Sequence, residues 1–455
     1  MSNRLEKVFF DPGYLPTDEV VKLVHNHPCL KLIRHRKKDL PTYRKQGLDI
    51  QTYPEYKNER MERVLENDIE KVWSVIINDH QTSVLFDRTT KSDSEVFKFN
   101  DLFLMCCAYQ NWLEKEKPDM LLYTATPHNI KTWVLSRVAE SIGIPVRYFQ
   151  VSFFPWRQFL IEGLRKDGKL IPPSVRTPSE QDVNFYNDYI KKKQGTLEEA
   201  MPSYEINRLK KNNWKLLKPK SEIKNFFKKP LSSIAKIQSY LTYEKLSQEV
   251  GDKKYVAFFL HYQPERSTIP EGYGFGIQFS AILALQQSLP SDTYLVVREH
   301  PSTYTLSFSR NYRSKAFYEM IASIDRVIIS PISADPYHLI DNSIATAAIT
   351  GTVIGEALVR GKPSIAFGAG PMQAIDTLGF HRFCSIENLR KFLATLDKPG
   401  QHDCARYFEN VCASSFSGAE SSSVKYDDNL RARYLINSAI NGINQLLSRE
   451  QRVHD

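Results

Sequence analysis

Apolar residues along this chain gather in short, nearly unbroken runs, and the stretches between them repeat their apolar positions every three or four residues. Residues 255–262 (Tyr-Val-Ala-Phe-Phe-Leu-His-Tyr), 294–298, 326–330, 345–350 and 364–367 are runs of the first kind, and 119–125 and 146–151 are their counterparts nearer the amino terminus. Runs of this length without polar alternation predict strands covered on both faces, as in a parallel sheet. Helical spacing lies between them: Ile130, Trp133, Val134 and Val138 within 129–141, then 276–288, 312–323 and 355–360. Strand and helix signals that alternate in this way predict an α/β fold with parallel doubly wound sheets.

The strand signals fade between 166 and 251, where the chain turns polar and lysine-rich. The pattern therefore predicts an α/β domain over 1–165, a mostly helical basic insertion or linker over 166–251, a second α/β domain over 252–398 and a helical tail over 399–455. In that tail Leu430, Tyr434, Leu435, Ala439, Ile440, Ile443 and Leu446 recur at helical intervals.

Polar groups collect where three of the strands stop. The run at 294–298 ends in Arg298, Glu299 and His300, held by Pro301; the run at 255–262 breaks into Gln263-Pro264-Glu265-Arg266; and 345–350 leads into Thr350-Gly351-Thr352 and on to Glu356. In open α/β sheets ligands gather outside the carboxyl ends of strands, so a cation, a carboxylate and an imidazole emerging together predict a site for an anionic substrate. A glycine turn before a helix lets the backbone come close to a phosphate, with hydroxyls and amides as donors. Plainer readings exist for each signal alone. A strand stops at a proline for want of a ladder hydrogen bond, Thr-Gly-Thr is an ordinary cap, and Glu356 is a first-turn carboxylate favoured by the helix dipole. Order and spacing point to one crevice shared by the three ends.

The stretch from His261 to Gly370 resembles the bacterial capsule polysaccharide biosynthesis proteins, a family related to the transferases for 3-deoxy-octulosonic acid (Kdo) and distantly similar to bacterial sialyltransferases. The residues that carry the resemblance are Gln263-Pro264-Glu265, Glu299-His300-Pro301, Thr350-Gly351-Thr352 through Glu356, and Gly361-Lys362-Pro363 followed by Phe367-Gly368. The resemblance implies a GT-B-like glycosyltransferase: two Rossmann-type domains facing a cleft, a closing helix that crosses back to the first domain, and a cytidine-monophosphate-activated acidic sugar, Kdo or a nonulosonic acid, as donor. It further implies that His300 contacts the phosphate of the CMP leaving group. Gln263, Arg266, Arg298, Thr350, Gly351, Thr352 and Glu356 complete the donor set, and Glu265, His300 and Glu299 form the catalytic one. Two alternatives remain: a polyol-phosphate polymerase using a CDP-linked donor, and a non-catalytic capsule assembly or export factor.

Glu265 is the carboxylate expected on the sugar side. As nucleophile it gives a glycosyl-enzyme, as base it deprotonates the acceptor hydroxyl, and its plain reading is an ion pair with Arg266. The acceptor, a saccharide or glycolipid, is expected near His128, in the loop after the 119–125 strand, and Arg157, beside the aromatic Phe153, Phe154 and Trp156. The plainer alternatives are a structural histidine and core packing. No metal or other cofactor is expected, because the chain lacks an Asp-x-Asp pair at a strand end and a monophosphate donor needs less charge compensation.

Composition then narrows the setting. With 455 residues, 42% hydrophobic and 25% charged, the chain has the material for two full cores. Six cysteines without C-x-x-C spacing read as reduced thiols, and the amino terminus shows no signal-peptide core, so a cytoplasmic protein is expected. The net charge of +9 has a location: residues 208–229 hold nine basic residues against the single acid Glu222, with Trp214, Phe226 and Phe227 interleaved. Peripheral contact with anionic lipid at the inner face of the plasma membrane and a solvated helical face are equal readings of that segment. Nucleic acid ranks behind both, since no recognition motif accompanies the patch.

Overall fold

The computed structural model describes residues 5–33, 39–52, 54, 70, 74–75, 79–89, 95–164, 168–200, 230–305, 313–368, 377–420 and 425–452. The chain divides into two compact units, one of residues 1–179, 412–423 and 430–455, the other of residues 180–411 and 424–429. Each is built on its own sheet, so the expected pair of Rossmann-type α/β units is present. The described parts of 166–251 do not form a body of their own. Residues up to 179 group with the first sheet and those from 180 with the second.

The strands among the described residues are, in chain order, β1 (Val8–Asp11), β2 (Leu30–Leu32), β3 (Met120–Tyr123), β4 (Val146–Val151), β5 (Arg157–Glu162), β6 (Lys169–Ile171), β7 (Tyr255–Phe259), β8 (Tyr294–Arg298), β9 (Val327–Ile329), β10 (Ala345–Ala348), β11 (Ser364–Ala366), β12 (Phe380–Arg382) and β13 (Ser415–Ser417). In the first unit β2-β1-β3-β4 run parallel, and β5, antiparallel to β4, carries β6 and β13. The tail helix Arg431–Arg452 lays Ala439, Ile443, Leu446 and Leu447 into the core formed by Val8, Phe10, Leu122 and Leu160. Each fully buried leucine or isoleucine side chain contributes about 1.5–3 kcal/mol.

The second sheet is parallel throughout, in the order β12-β11-β10-β7-β8-β9. The apolar runs explain why. Because successive side chains of a strand point to opposite faces, Val256 and Phe258 enter one core with Leu295, Val297, Val327 and Ile329, while Tyr255, Ala257 and Phe259 enter a second with Val296 and Ile328. Both faces are covered, so no polar alternation is needed. From β7 the chain winds outward through β8 to β9, then returns to the other side of β7 as β10. That reversal is the topological switch point of a doubly wound sheet, and the crevice it opens lies at the carboxyl ends of β7 and β10.

Among the described residues no helix is long and apolar enough to cross a membrane. The basic segment 208–229 lies outside the described residues.

Candidate functional site

At the switch point, β7 runs through Leu260 to His261, whose imidazole reaches both ways. Nδ1 lies 3.0 Å from the Glu265 carboxylate, and Nε2 accepts the Thr350 amide N–H at 3.4 Å from the end of β10. These partners assign the tautomer: Nδ1 carries the proton and Nε2 is the acceptor. A β-carbon on Gly351 would stand 3.2 Å from the His261 ring, so glycine is what lets the turn close against it. At Gly368, after β11, a β-carbon would fall 2.3 Å from Thr350 Cγ2 and 2.7 Å from the Glu271 carbonyl, too near for any side chain. The loops after β7, β10 and β11 therefore pack as one piece.

Glu265 is partly buried. Burial alone raises a carboxyl pKa, but hydrogen bonds from His261 and Ser267 and the nearby imidazoles of His261 and His300 outweigh it and hold Glu265 below the usual carboxylate range. It is ionised at neutral pH. The Thr350 hydroxyl donates to the Ser267 carbonyl at 2.6 Å, while the amides of Gly351 and Thr352 donate to nothing else among the described residues, and the exposed Thr352 hydroxyl makes no cap bond. Those two amides are the donors the turn offers, with the Thr352 hydroxyl beside them.

The loop after β8 joins from the other side of β7. His300 stands edge-on to Tyr262 at 5.3 Å, and its Nδ1 accepts the Ser302 amide at 3.0 Å. Its proton therefore sits on Nε2, opposite to His261. Burial pushes the His300 imidazole down to about 4, so it is a neutral hydrogen-bond donor at physiological pH.

Several side chains expected at the reacting centre have other tasks. Glu299 is fully buried and both oxygens are taken: one accepts from the His300 amide and the Thr303 hydroxyl, the other from Arg313 at 2.7 Å and Tyr318 at 2.6 Å. It has no oxygen left for a substrate. Arg298 is buried and spends its guanidinium on the Ala334 and Ile332 carbonyls, tying β8 to the loop after β9. Glu356 pairs with Lys193 at 2.7 Å, fastening the helix Glu180–Gln194 to Val353–Val359. Burial pulls Lys193 down, but the Glu356 carboxylate prevails and holds the ammonium above its usual range. Arg266 forms an ion pair with Glu271 at 3.1 Å, not with Glu265. Gln263 is buried, its amide N–H donating to Thr268 at 2.8 Å, and its side-chain oxygen finds no partner among the described residues.

In the first unit Arg157 is buried and clips the edge strand β13 through the Ser415 hydroxyl at 2.9 Å and the Cys412 and Ser415 carbonyls at 3.1 and 2.6 Å. That replaces the acceptor contact expected of it. Phe153, Phe154 and Trp156 beside it are core residues. His128 stays half-buried in the loop after β3, where Nδ1–H donates to the Thr126 carbonyl at 2.8 Å.

Two members of the site, His261 and Arg313, are not among the residues the sequence pattern singles out. His261 has a signal, as a polar residue inside an apolar strand run, which marks either a costly burial or a function. Arg313 carries no local signal, because its partners Glu299 and His261 lie 14 and 52 residues away.

No protein-family model matches the chain, and no curated protein sequence matches it. Solved structures do. KpsC of Thermosulfurimonas dismutans, a β-Kdo 2,7-transferase, is 11% identical over 78% of this chain and 95% of that one, at a TM-score of 0.29. The UDP-GlcNAc 2-epimerase of Methanocaldococcus jannaschii is 10% identical over 89% and 97%, at 0.25. Anabaena Alr3699/HepE, in complex with UDP-glucose, is 11% identical over 99% and 100%, at 0.26. Scores this low assign no chemistry, and the site is defined by sheet order and side-chain geometry.

Proposed function

We propose that this chain is a glycosyltransferase that takes an acidic sugar, Kdo or a nonulosonic acid, from a CMP-activated donor and passes it to a saccharide or glycolipid acceptor in bacterial surface polysaccharide synthesis. What supports the reading is an ionised carboxylate on Glu265 at the switch point, with the neutral His300 imidazole from the loop after β8 near enough to interact with it, and the Gly351 and Thr352 amides in the turn after β10 with no other acceptor among the described residues. Breaking the sugar–phosphate bond leaves its electron pair on a phosphate oxygen of CMP. Preorganised donors aimed at that oxygen lower the barrier without reorganising.

On the sugar side an ionised Glu265 suits two roles. As nucleophile its oxygen bonds to the anomeric carbon while CMP departs, and the acceptor hydroxyl then displaces it with overall retention. As base it removes the acceptor proton while the acceptor oxygen attacks, giving inversion. His261, hydrogen-bonded to Glu265, orients the carboxylate in either case. Gln263 and Arg266 frame the donor loop.

Incubation with CMP-Kdo and CMP-nonulosonic acids in the presence of glycan acceptors, followed by anomeric analysis of the product, tests the reading. Turnover supports it, and the anomer assigns the role of Glu265. Preference for a CDP-linked polyol sinks it in favour of a polymerase, and failure to bind any nucleotide in favour of a non-catalytic assembly or export factor.

A further inference from the structure

Gln278 stands where two local rules ask for another residue. It is the N-cap of the helix Phe279–Ser288, a position that favours Ser, Thr, Asp or Asn, yet its side chain makes no cap bond. Its φ of +54° and ψ of −30° lie in the left-handed half of the map, where glycine is at ease and a long side chain is strained. The side chain is also fully buried. A residue kept against both rules answers to something elsewhere in the fold.

That something lies 17 residues earlier. Beyond Phe259 the ladder of β7 gives out: the Leu260 amide still donates to the Arg298 carbonyl at 2.9 Å, but the N–H and C=O of His261 find no main-chain partner among the described residues. Gln278 supplies both. Its Oε1 accepts the His261 N–H at 2.8 Å, and its Nε2–H donates to the His261 carbonyl at 3.1 Å. A peptide N–H only donates and a carbonyl only accepts, so the orientation of the amide follows from its partners. One side chain thus stands in for a neighbouring strand across a single buried residue, and Arg313 reinforces it on the same carbonyl at 2.9 Å. The His261 ring in turn reaches Glu265 through Nδ1 and the Thr350 amide through Nε2. We infer that Gln278 is a positioning residue, which clamps the main chain at His261 so that the imidazole holds the Glu265 carboxylate in its reacting orientation. In naming Glu265 as the reacting group this rests on the proposed transfer; the clamp itself does not.

Two variants of the full chain test it, with histidines labelled for nuclear magnetic resonance. Gln278→Met keeps the volume and the backbone demand but makes neither bond, and Gln278→Gly frees the backbone and makes neither. In the parent, the His261 ring carries its proton on Nδ1 and its amide exchanges with solvent as slowly as those of β7. In both variants the ring becomes a mixture of tautomers, and the amide exchanges faster by on the order of tenfold or more. With a CMP-activated sugar, kcat falls by on the order of tenfold to a hundredfold while the donor KM stays within about threefold. If Gln278 serves only the turn, the glycine variant keeps the parent's tautomer, exchange and kcat, and the inference is overturned. Rapid exchange of the His261 amide in the parent overturns it without any variant. A parent that transfers no sugar sinks the proposed function instead, while tautomer and exchange still decide on the clamp.

Discussion

The guanidinium of Arg313 lies 2.7 Å from the Glu299 carboxylate and, through its other nitrogen, 2.9 Å from the His261 carbonyl. One buried cation thus ties the loop after β8 to the loop after β7. Both members are removed from water, Tyr318 completes the carboxylate, and the guanidinium lies over the Phe317 ring at 4.5 Å. Burial lowers an arginine's pKa, but the Glu299 charge outweighs it and keeps Arg313 fully cationic.

Removing one member leaves the other charged and unpaired in the interior. Arg313→Met or Glu299→Gln is therefore expected to destabilise the protein by about 3–5 kcal/mol. Urea unfolding followed by fluorescence measures it. A loss below about 1 kcal/mol would mean the pair is far better solvated than its geometry indicates.

Lys193 and Glu356 give a second pair, partly buried, and a way to separate structure from ligand binding. Lys193→Met costs about 1–3 kcal/mol, between the values for exposed and fully buried pairs, and adding Glu356→Leu restores much of it, because an apolar pair can replace a partly buried ionic one. Since the carboxylate is committed to Lys193, the double variant keeps its nucleotide affinity. Loss of affinity in a folded double variant would return Glu356 to the donor site.

Much of the second unit was legible in the sequence. β8 ends where its apolar run does, β7 closes at Phe259 although its run continues to Tyr262, and β10 gives way to Thr350-Gly351-Thr352 as the glycine turn required, because these strands are buried on both faces and hydrophobicity locates them. What the pattern does not carry is the direction of polar side chains. Arg298 and Glu299 follow an apolar strand just as site residues do, yet one turns to main-chain carbonyls and the other into a closed network with Arg313, Tyr318 and Thr303. Arg157 misleads for the same reason: its partner Ser415 is 258 residues away, and β13 is too short and polar to announce itself as a strand.

Close packing at Gly368 yields a third prediction. Gly368→Ala pushes a methyl group into Thr350 and the Glu271 carbonyl, costs about 1–3 kcal/mol and displaces the turn that carries the Gly351 amide. Melting temperature and nucleotide affinity fall together. Unchanged affinity in the folded variant would detach the β11 loop from the site.

His300 imposes a pH dependence whose sign is fixed. An unfolded histidine titrates near 6.5, whereas burial holds the folded one at about 4. Between these values the unfolded chain binds a proton that the folded chain refuses, so stability rises with pH across the window, is fully present above about 6.5 and is lost toward 4. The contribution is about 3 kcal/mol at most. His300→Gln removes it, so the gap between variant and parent stability curves changes with pH over that window; parallel curves would contradict a neutral, partly buried imidazole.

Glu265 separates chemistry from binding. Under the proposed transfer, in which the carboxylate acts on sugar and not on phosphate, Glu265→Gln and Glu265→Ala should lower transfer by about a thousandfold while nucleotide affinity stays within about threefold of the parent. Near-normal turnover in both variants would end its role.

The most direct measurement is a calorimetric titration of CMP into the parent chain and into His300→Gln. Saturable binding with a Kd below about 1 mM, weakened about tenfold in the variant, is the predicted result. Absence of CMP binding, or equal affinity in the two proteins, would contradict a phosphate site at the carboxyl ends of β7, β8 and β10.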